Sequence, residues 1–189
     1  MIKTISVFTL VITGFLFTAC NTAPTTDEAI KFNDEIIAAQ TQYLEHETVF
    51  IDALSYSYDD YTAEDTIPYE AVEKAVNELE ESYASLNVFV EENIEKYNKI
   101  EAFDDEDIFR LAFMEYLESY KELIASEYAD LMEIQKYYLE ELEVTDDMIM
   151  KWDPLIEKAE EKGEEIEDAF EEKQKDFAAQ YEFELTEQN

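Results

Sequence analysis

Across 189 residues the chain has one cysteine, one histidine, one tryptophan, two glycines and three prolines. Each shortage removes a class of answer. Cys20 has no partner within the chain, so any domain must stand on its own core without a disulfide. His46, in Glu45-His46-Glu47, has no second histidine, and Tyr43 stands where a di-iron bundle would place a glutamate three residues before it. A solvated or rim position is the plainer expectation for this histidine. No Ser-His-Asp set can be assembled beyond the lone histidine, and there is no glycine-rich phosphate loop. The scarcity of Gly and Pro argues against a sheet joined by tight turns, which needs glycine at positive φ. Positive charge is scarce as well: 13 Lys plus Arg stand against 49 Asp plus Glu, a formal net charge of -36. Nucleic-acid binding is excluded on that ground, because it rests on neutralising phosphates with Lys and Arg. Such a surface repels anionic lipid heads and favours cationic partners or salty water. Disorder, the other reading of high charge, fails against 47% hydrophobic and 14% aromatic residues, enough to fill a core.

The first 20 residues are of another kind. Lys3 is followed by an almost wholly apolar run from Ile5 to Phe17, and Thr18-Ala19-Cys20 closes with small residues. This is the layout of a secretory signal. The run is about 13 residues, where a spanning helix needs roughly 20. Ordinary signal cleavage after Ala19 would put Phe17 at a position that wants a small residue. Phe17-Thr18-Ala19-Cys20 fits a lipobox better, although leucine is usual where Phe17 stands and Leu16 is adjacent. The expectation is a signal over 1–19, a lipidated Cys20 with a polar tether over 20–26, a bundle over 27–185 and a tail over 186–189. Several acyl chains would hold firmly, since each buried methylene adds about 0.8 kcal/mol while one chain is marginal.

The mature region reads as four long amphipathic helices. The first, about 27–55, carries two sevenfold rows, Ile30-Ile37-Leu44-Ile51 and Ile36-Tyr43-Phe50. Sevenfold spacing keeps a stripe on a partner helix. Tyr58-Asp59-Asp60-Tyr61 lies in the polar connection that follows. The second helix starts near Pro68 and runs to about Ile100, with a stripe of Tyr69, Val72, Val76, Leu79, Tyr83, Leu86 and Val90, continued by Ile94 and Tyr97. Asp104 looks like the N-cap of the third, about 105–142, with Asp105, Glu106 and Asp107 in its first turn where the helix dipole favours anions. Phe109, Phe113, Tyr116, Tyr120, Leu123, Leu131, Tyr138 and Leu142 form its face. Leu111, Met114, Leu117, Ile124 and Tyr128 widen it, as contact with two neighbours would require. Thr145 caps the fourth, about 146–183, whose heptads persist across Pro154 from Ile149 and Trp152 to Phe170 and Phe177. A kink near Met150 is expected, the alternative being a fresh helix capped by Asp153. Gly163 falls on the stripe and predicts a close helix approach. Short connections favour antiparallel neighbours, so the fold class is all-α: an antiparallel up-down-up-down four-helix bundle about 45–55 Å long.

No catalytic residue, cofactor site or metal site can be read from this pattern. Acid pairs such as Glu80-Glu81 or Glu171-Glu172 are too common in such a chain to point to acid–base chemistry. Asp104 to Asp107 lacks the spacing and central glycine of a calcium loop. The 13 tyrosines are expected to pack their rings in the core with hydroxyls at its rim, and Arg110 to pair with a neighbouring acid.

The lipobox-like start, the acidic helical region and the closing stretch Phe170-Glu171-Glu172-Lys173-Gln174-Lys175-Asp176-Phe177-Ala178, then Tyr181-Glu182-Phe183-Glu184-Leu185, resemble a family of acidic helical surface lipoproteins of the spirochaete and Bacteroidetes type. A looser similarity is to helical cell-wall-binding lipoproteins of Gram-positive bacteria, whose anionic wall polymer suits this charge poorly. The expected anchor, with no site chemistry beside it, points to a non-enzymatic lipoprotein, held to the membrane through lipid on Cys20 and presenting the bundle to an envelope protein or serving structurally; the first resemblance brings no catalytic residues to carry over. Asn21 after the cysteine implies the outer membrane or cell surface. A tethered bundle that binds a small ligand or cation is the alternative.

Overall fold

The computed structural model describes residues 23–57, 67–141 and 145–185. The leader, Cys20, the Tyr58 to Tyr61 segment and the 186–189 tail lie outside the described residues, as do the side chains of Leu142 and Ile149. Helix α1 is Thr26–Leu54, α2 is Tyr69–Lys99, and α4 is Asp146–Gln180. Between them α3 is built in three parts: Ile108–Leu123, a π-helical turn Ile124–Tyr128, and Ala129–Glu141. The described residues thus form the all-α four-helix bundle expected from the sequence. None of these helices is long and apolar enough to cross a membrane.

Each start has a local cause. Thr25 caps α1 in a capping box: its hydroxyl accepts from the Glu28 N–H, and the Glu28 carboxylate accepts from the Thr25 N–H at 2.8 Å. Thr145 caps α4 through the Met148 N–H at 3.3 Å. The helix continues through Pro154, so Asp153 does not cap a new one. Pro68 sits just ahead of α2, where its missing N–H costs nothing. The start of α3 differs from expectation. Asp104 instead closes a turn, accepting from the Glu106 and Asp107 N–H groups, and the helix begins only after Asp107, which is left-handed at φ 53°. A non-glycine residue there is held by its side chain, which accepts from the Phe103 N–H and pairs with Arg110. At the other end of the chain Glu182 takes a left-handed φ of 57°, and the Phe183 N–H returns to the Ala178 carbonyl. That is a Schellman stop, three residues before the expected end at Phe183.

Contacts between helices fall in reversed order along the chain. Glu35 meets Lys96 while His46 meets Ser85; Tyr97 meets Phe113 while Tyr83 meets Ile124. Phe109 meets Phe177 while Glu127 meets Lys158, and Asn33 meets Gln174 while Gln40 meets Glu167. Antiparallel neighbours make this pattern.

The core is aromatic and has two zones. At one end phenylalanines stack: Phe32 on Phe103 at 4.6 Å and Phe109 on Phe177 at 4.6 Å. Each such pair contributes about 0.5–1.5 kcal/mol beyond its buried area. The middle is tyrosine, with Tyr43, Tyr116, Tyr120 and Tyr128 all buried. Five expected core positions are corrected. In α1 the inward row is Ala29-Ile36-Tyr43-Phe50, while Ile30, Leu44 and Ile51 remain partly in water. The aromatic row wins because it reaches the bundle centre and fills more of it. Tyr69 lies at the first turn of α2, beyond the packed zone, and is 76% exposed; Leu111 points outward from α3.

Candidate functional site

The densest polar chemistry in the fold lies beneath the middle of the bundle, where four tyrosines converge on two carboxylates. Tyr43 and Tyr128 both donate to Oε1 of Glu47, at 2.9 and 2.7 Å. Tyr116 and Tyr120 both donate to Oε1 of Glu167, at 2.8 and 3.0 Å, and Gln40 donates to its Oε2 at 2.7 Å. The rings pack together as well, Tyr43 tilted against Tyr120 at 4.2 Å and Tyr116 edge-on to Tyr120 at 4.8 Å.

A run of steps of four in α3 builds this layer. Tyr116, Tyr120, Ile124 and Tyr128 are all buried. In a regular α-helix each step of four overshoots the turn by about 40°, so three steps would carry Tyr128 about 120° off the stripe. The π turn takes that drift out. Its wider loop lets the Ala129 N–H return to the Ile124 carbonyl, which also accepts from Tyr83 of α2 at 3.1 Å. The width read from Ile124 and Tyr128 is therefore a change of helical pitch. Such turns are rare inside α-helices and concentrate at functional sites.

The same turn aims the preceding residue elsewhere. Glu127 is buried against α4, where Lys158 at 2.5 Å and Lys162 at 2.8 Å hold its carboxylate and Ser126 donates to it. Burial pushes its pKa up, but the hydrogen bonds from both lysines and Ser126 outweigh that and hold it at about 2. Glu47 moves the other way. Its burial raises the pKa, the Tyr128 and Tyr43 hydroxyls only partly offset this, and the charge of Glu167 adds to the rise. Burial, with the carboxylates beside them, pushes all four tyrosines up, so they stay protonated donors. The layer is thus a set of O–H donors clamping carboxylates, with every buried side-chain polar atom among the described residues hydrogen-bonded.

The residues singled out from the sequence are scattered. His46 Nδ1 lies 3.1 Å from the Ser85 hydroxyl and its ring lies against Phe89, a packing position between α1 and α2. Arg110 pairs with Asp107, as expected, and also donates to the Tyr97 carbonyl at 2.7 Å. Asp104 accepts from Tyr181 at 2.6 Å, which ties the end of α4 to the α2–α3 connection. Gly163 does not mark a close approach: a Cβ there would meet only the Tyr120 hydroxyl at 3.9 Å, an ordinary contact. Among the described residues no three His, Cys, Asp or Glu gather as a metal cage. Sequence reasoning missed Glu47, Glu127 and Glu167 because nothing distinguishes them among 49 acids. The signal that was present is the run of three steps of four.

No protein-family model, no curated protein and no solved structure matches this chain.

Proposed function

We propose that this chain is a lipid-anchored, non-enzymatic lipoprotein of a bacterial envelope, attached through Cys20, whose bundle engages an envelope protein. The observation that carries the reading is the capping box at Thr25, which starts a rigid helix only five residues after the cysteine. Five extended residues span at most about 18 Å, so a diacylated Cys20 would hold the bundle close against its membrane. The 29 residues of α1 then project about 44 Å outward. The acidic surface would stand off anionic lipid heads rather than lie on them. The strongest chemistry in the fold, the tyrosine-clamped carboxylates, is satisfied from within and faces a packed core, which favours a scaffold over a catalyst. The outer membrane or cell surface is the proposed address, on the strength of Asn21.

Labelling with radioactive palmitate tests the anchor. The wild-type protein should take up label and partition with membranes, and Cys20→Ala should do neither. An unlabelled wild-type protein would remove the anchor from this account.

A small-ligand reading is favoured by one further observation. A cavity of about 480 Å³ opens at the end of the bundle away from Thr25, lined by Leu54, Tyr56, Gln135, Tyr138, Met148 and Trp152 among others. Its size and mixed apolar lining suit a small organic molecule. Quenching of Trp152, the only tryptophan, on addition of apolar ligands would support it.

A further inference from the structure

The sevenfold row left out of the core has a defined setting. Ile30, Leu44 and Ile51 are 37, 38 and 37% exposed, and Ile37 between them is half-buried. At about 100° per residue, Asn33 and Gln40 lie about 40° round α1 from the buried row, and this apolar row lies about 100° round in the same sense. Asn33 and Gln40 are the residues bonded to Gln174 and Glu167 of α4. The apolar row therefore borders the α1–α4 seam on its outer side.

On α4 the order is matched. Glu167 and Gln174 lie about 60° round from the buried Phe170 and Phe177, and the next line outward, about 120° round, is Glu157, Glu164 and Glu171. All three are exposed, and Glu171 pairs with Lys175 at 2.5 Å. The register set by the two seam bonds puts these acids level with Ile51, Leu44 and Ile37. The result is a groove with one apolar wall and one acidic wall, the two facing each other over about 21 Å, floored by the Gln40–Glu167 amide–carboxylate bond and the Gln174–Asn33 amide–amide bond.

We propose that this groove docks a basic amphipathic helix of a partner protein. Its apolar face would lie on the Ile30 to Ile51 row and its Lys or Arg side chains on the Glu157 to Glu171 row. Helices dock in apolar grooves through residues spaced three, four and seven apart. The charge selects the occupant. A second copy of this chain would bring two surfaces of formal net charge -36 together, and an anionic bilayer would be repelled for the same reason. The proposal rests on the partner-binding half of the function above and is independent of the lipid.

The test uses the full chain in detergent and a fluorescent synthetic peptide of three heptads, with Leu at the a and d positions and Lys elsewhere. A control peptide carries Glu in place of Lys. The Lys peptide should bind saturably and the Glu peptide should not. Leu44→Glu with Ile51→Glu, both at partly solvated positions, should weaken binding by about tenfold or more with the helical circular dichroism unchanged. Glu157→Gln, Glu164→Gln and Glu171→Gln together touch no packing and should weaken binding while flattening its salt dependence. Three results overturn the proposal: no saturable binding of the Lys peptide, binding indifferent to the Leu44 and Ile51 changes, or a dimer in sedimentation that Leu44→Glu dissociates. The first two remove the groove as a helix site whatever palmitate labelling shows, and the third assigns it to a second copy.

Discussion

Glu127 and Glu47 are carboxylates served by the same π turn, and they end in opposite electrostatic states. Glu127 belongs to the turn and faces α4, where two ammonium groups and a hydroxyl meet it. Glu47 belongs to α1 and receives the next residue of the turn, Tyr128, together with Tyr43. Both have close hydrogen bonds, yet one pKa falls to about 2 and the other rises above 4.5. The balance between burial and hydrogen bonding differs. At Glu47 two hydroxyls only partly offset burial, and the charge of Glu167 adds to the rise; at Glu127 the hydrogen bonds from two lysine ammonium groups and Ser126 outweigh it. Helix pitch is what separates the two fates, because the π turn sends neighbouring residues to different walls.

The largest effect should come from removing the acceptor of the tyrosine layer. Glu47→Ala leaves the Tyr43 and Tyr128 hydroxyls buried without their acceptor, at a cost of about 1–3 kcal/mol for each unsatisfied group. We expect about 3 kcal/mol in all, read as a lower urea midpoint at pH 7 with an unchanged slope. A loss under about 1 kcal/mol would mean that the layer rearranges and that its hydrogen bonds are not specific. Next in size is Glu127→Gln, expected to cost on the order of 2 kcal/mol at pH 7, a figure discounted because Lys158 and Lys162 are themselves partly in water. The sign follows from a depressed pKa. The stability that Glu127 adds is present above its unfolded value of 4.5 and is lost as pH falls towards about 2. The gap between wild type and Glu127→Gln should close over that window.

How much of this contrast was legible beforehand depends on the residue. The helices were, because alternating steps of three and four need only apolar periodicity, and Leu79, Leu86, Val90, Ile94 and Tyr97 of α2 are buried where that periodicity put them. The choice between the two sevenfold rows of α1 was not, since they differ by one residue and either alone would satisfy a partner helix. Packing volume decides it, and volume depends on the other three helices. The π turn was half visible: Tyr116, Tyr120, Ile124 and Tyr128 stood at steps of four, which a wide stripe also explains. Glu47, Glu127 and Glu167 were invisible, because an acid held in a hydrogen-bonded cluster differs from a solvated one only by what surrounds it. The left-handed Asp107 was hidden too, since its support comes from Phe103 and from Arg110, whose other bond reaches back to the Tyr97 carbonyl.

The smallest effect is the sharpest test of the contrast. Glu47→Gln keeps an oxygen that accepts from Tyr43 and Tyr128, so stability at pH 7 should change by less than about 1 kcal/mol. Its pH dependence carries the information. A carboxylate whose folded pKa is raised favours folding most when protonated, and that contribution is lost as pH rises from 4.5 through the folded value. Glutamine cannot ionise, so Glu47→Gln should gain on the wild type as pH rises through this range. Glu127→Gln should lose ground to the wild type as pH rises from about 2 to 4.5. Paired urea titrations across pH 3 to 7 therefore predict slopes of opposite sign for two amides introduced on either side of one helical turn. Slopes of the same sign would mean that a cation reaches Glu47, and that hydroxyl donors alone do not decide how it titrates.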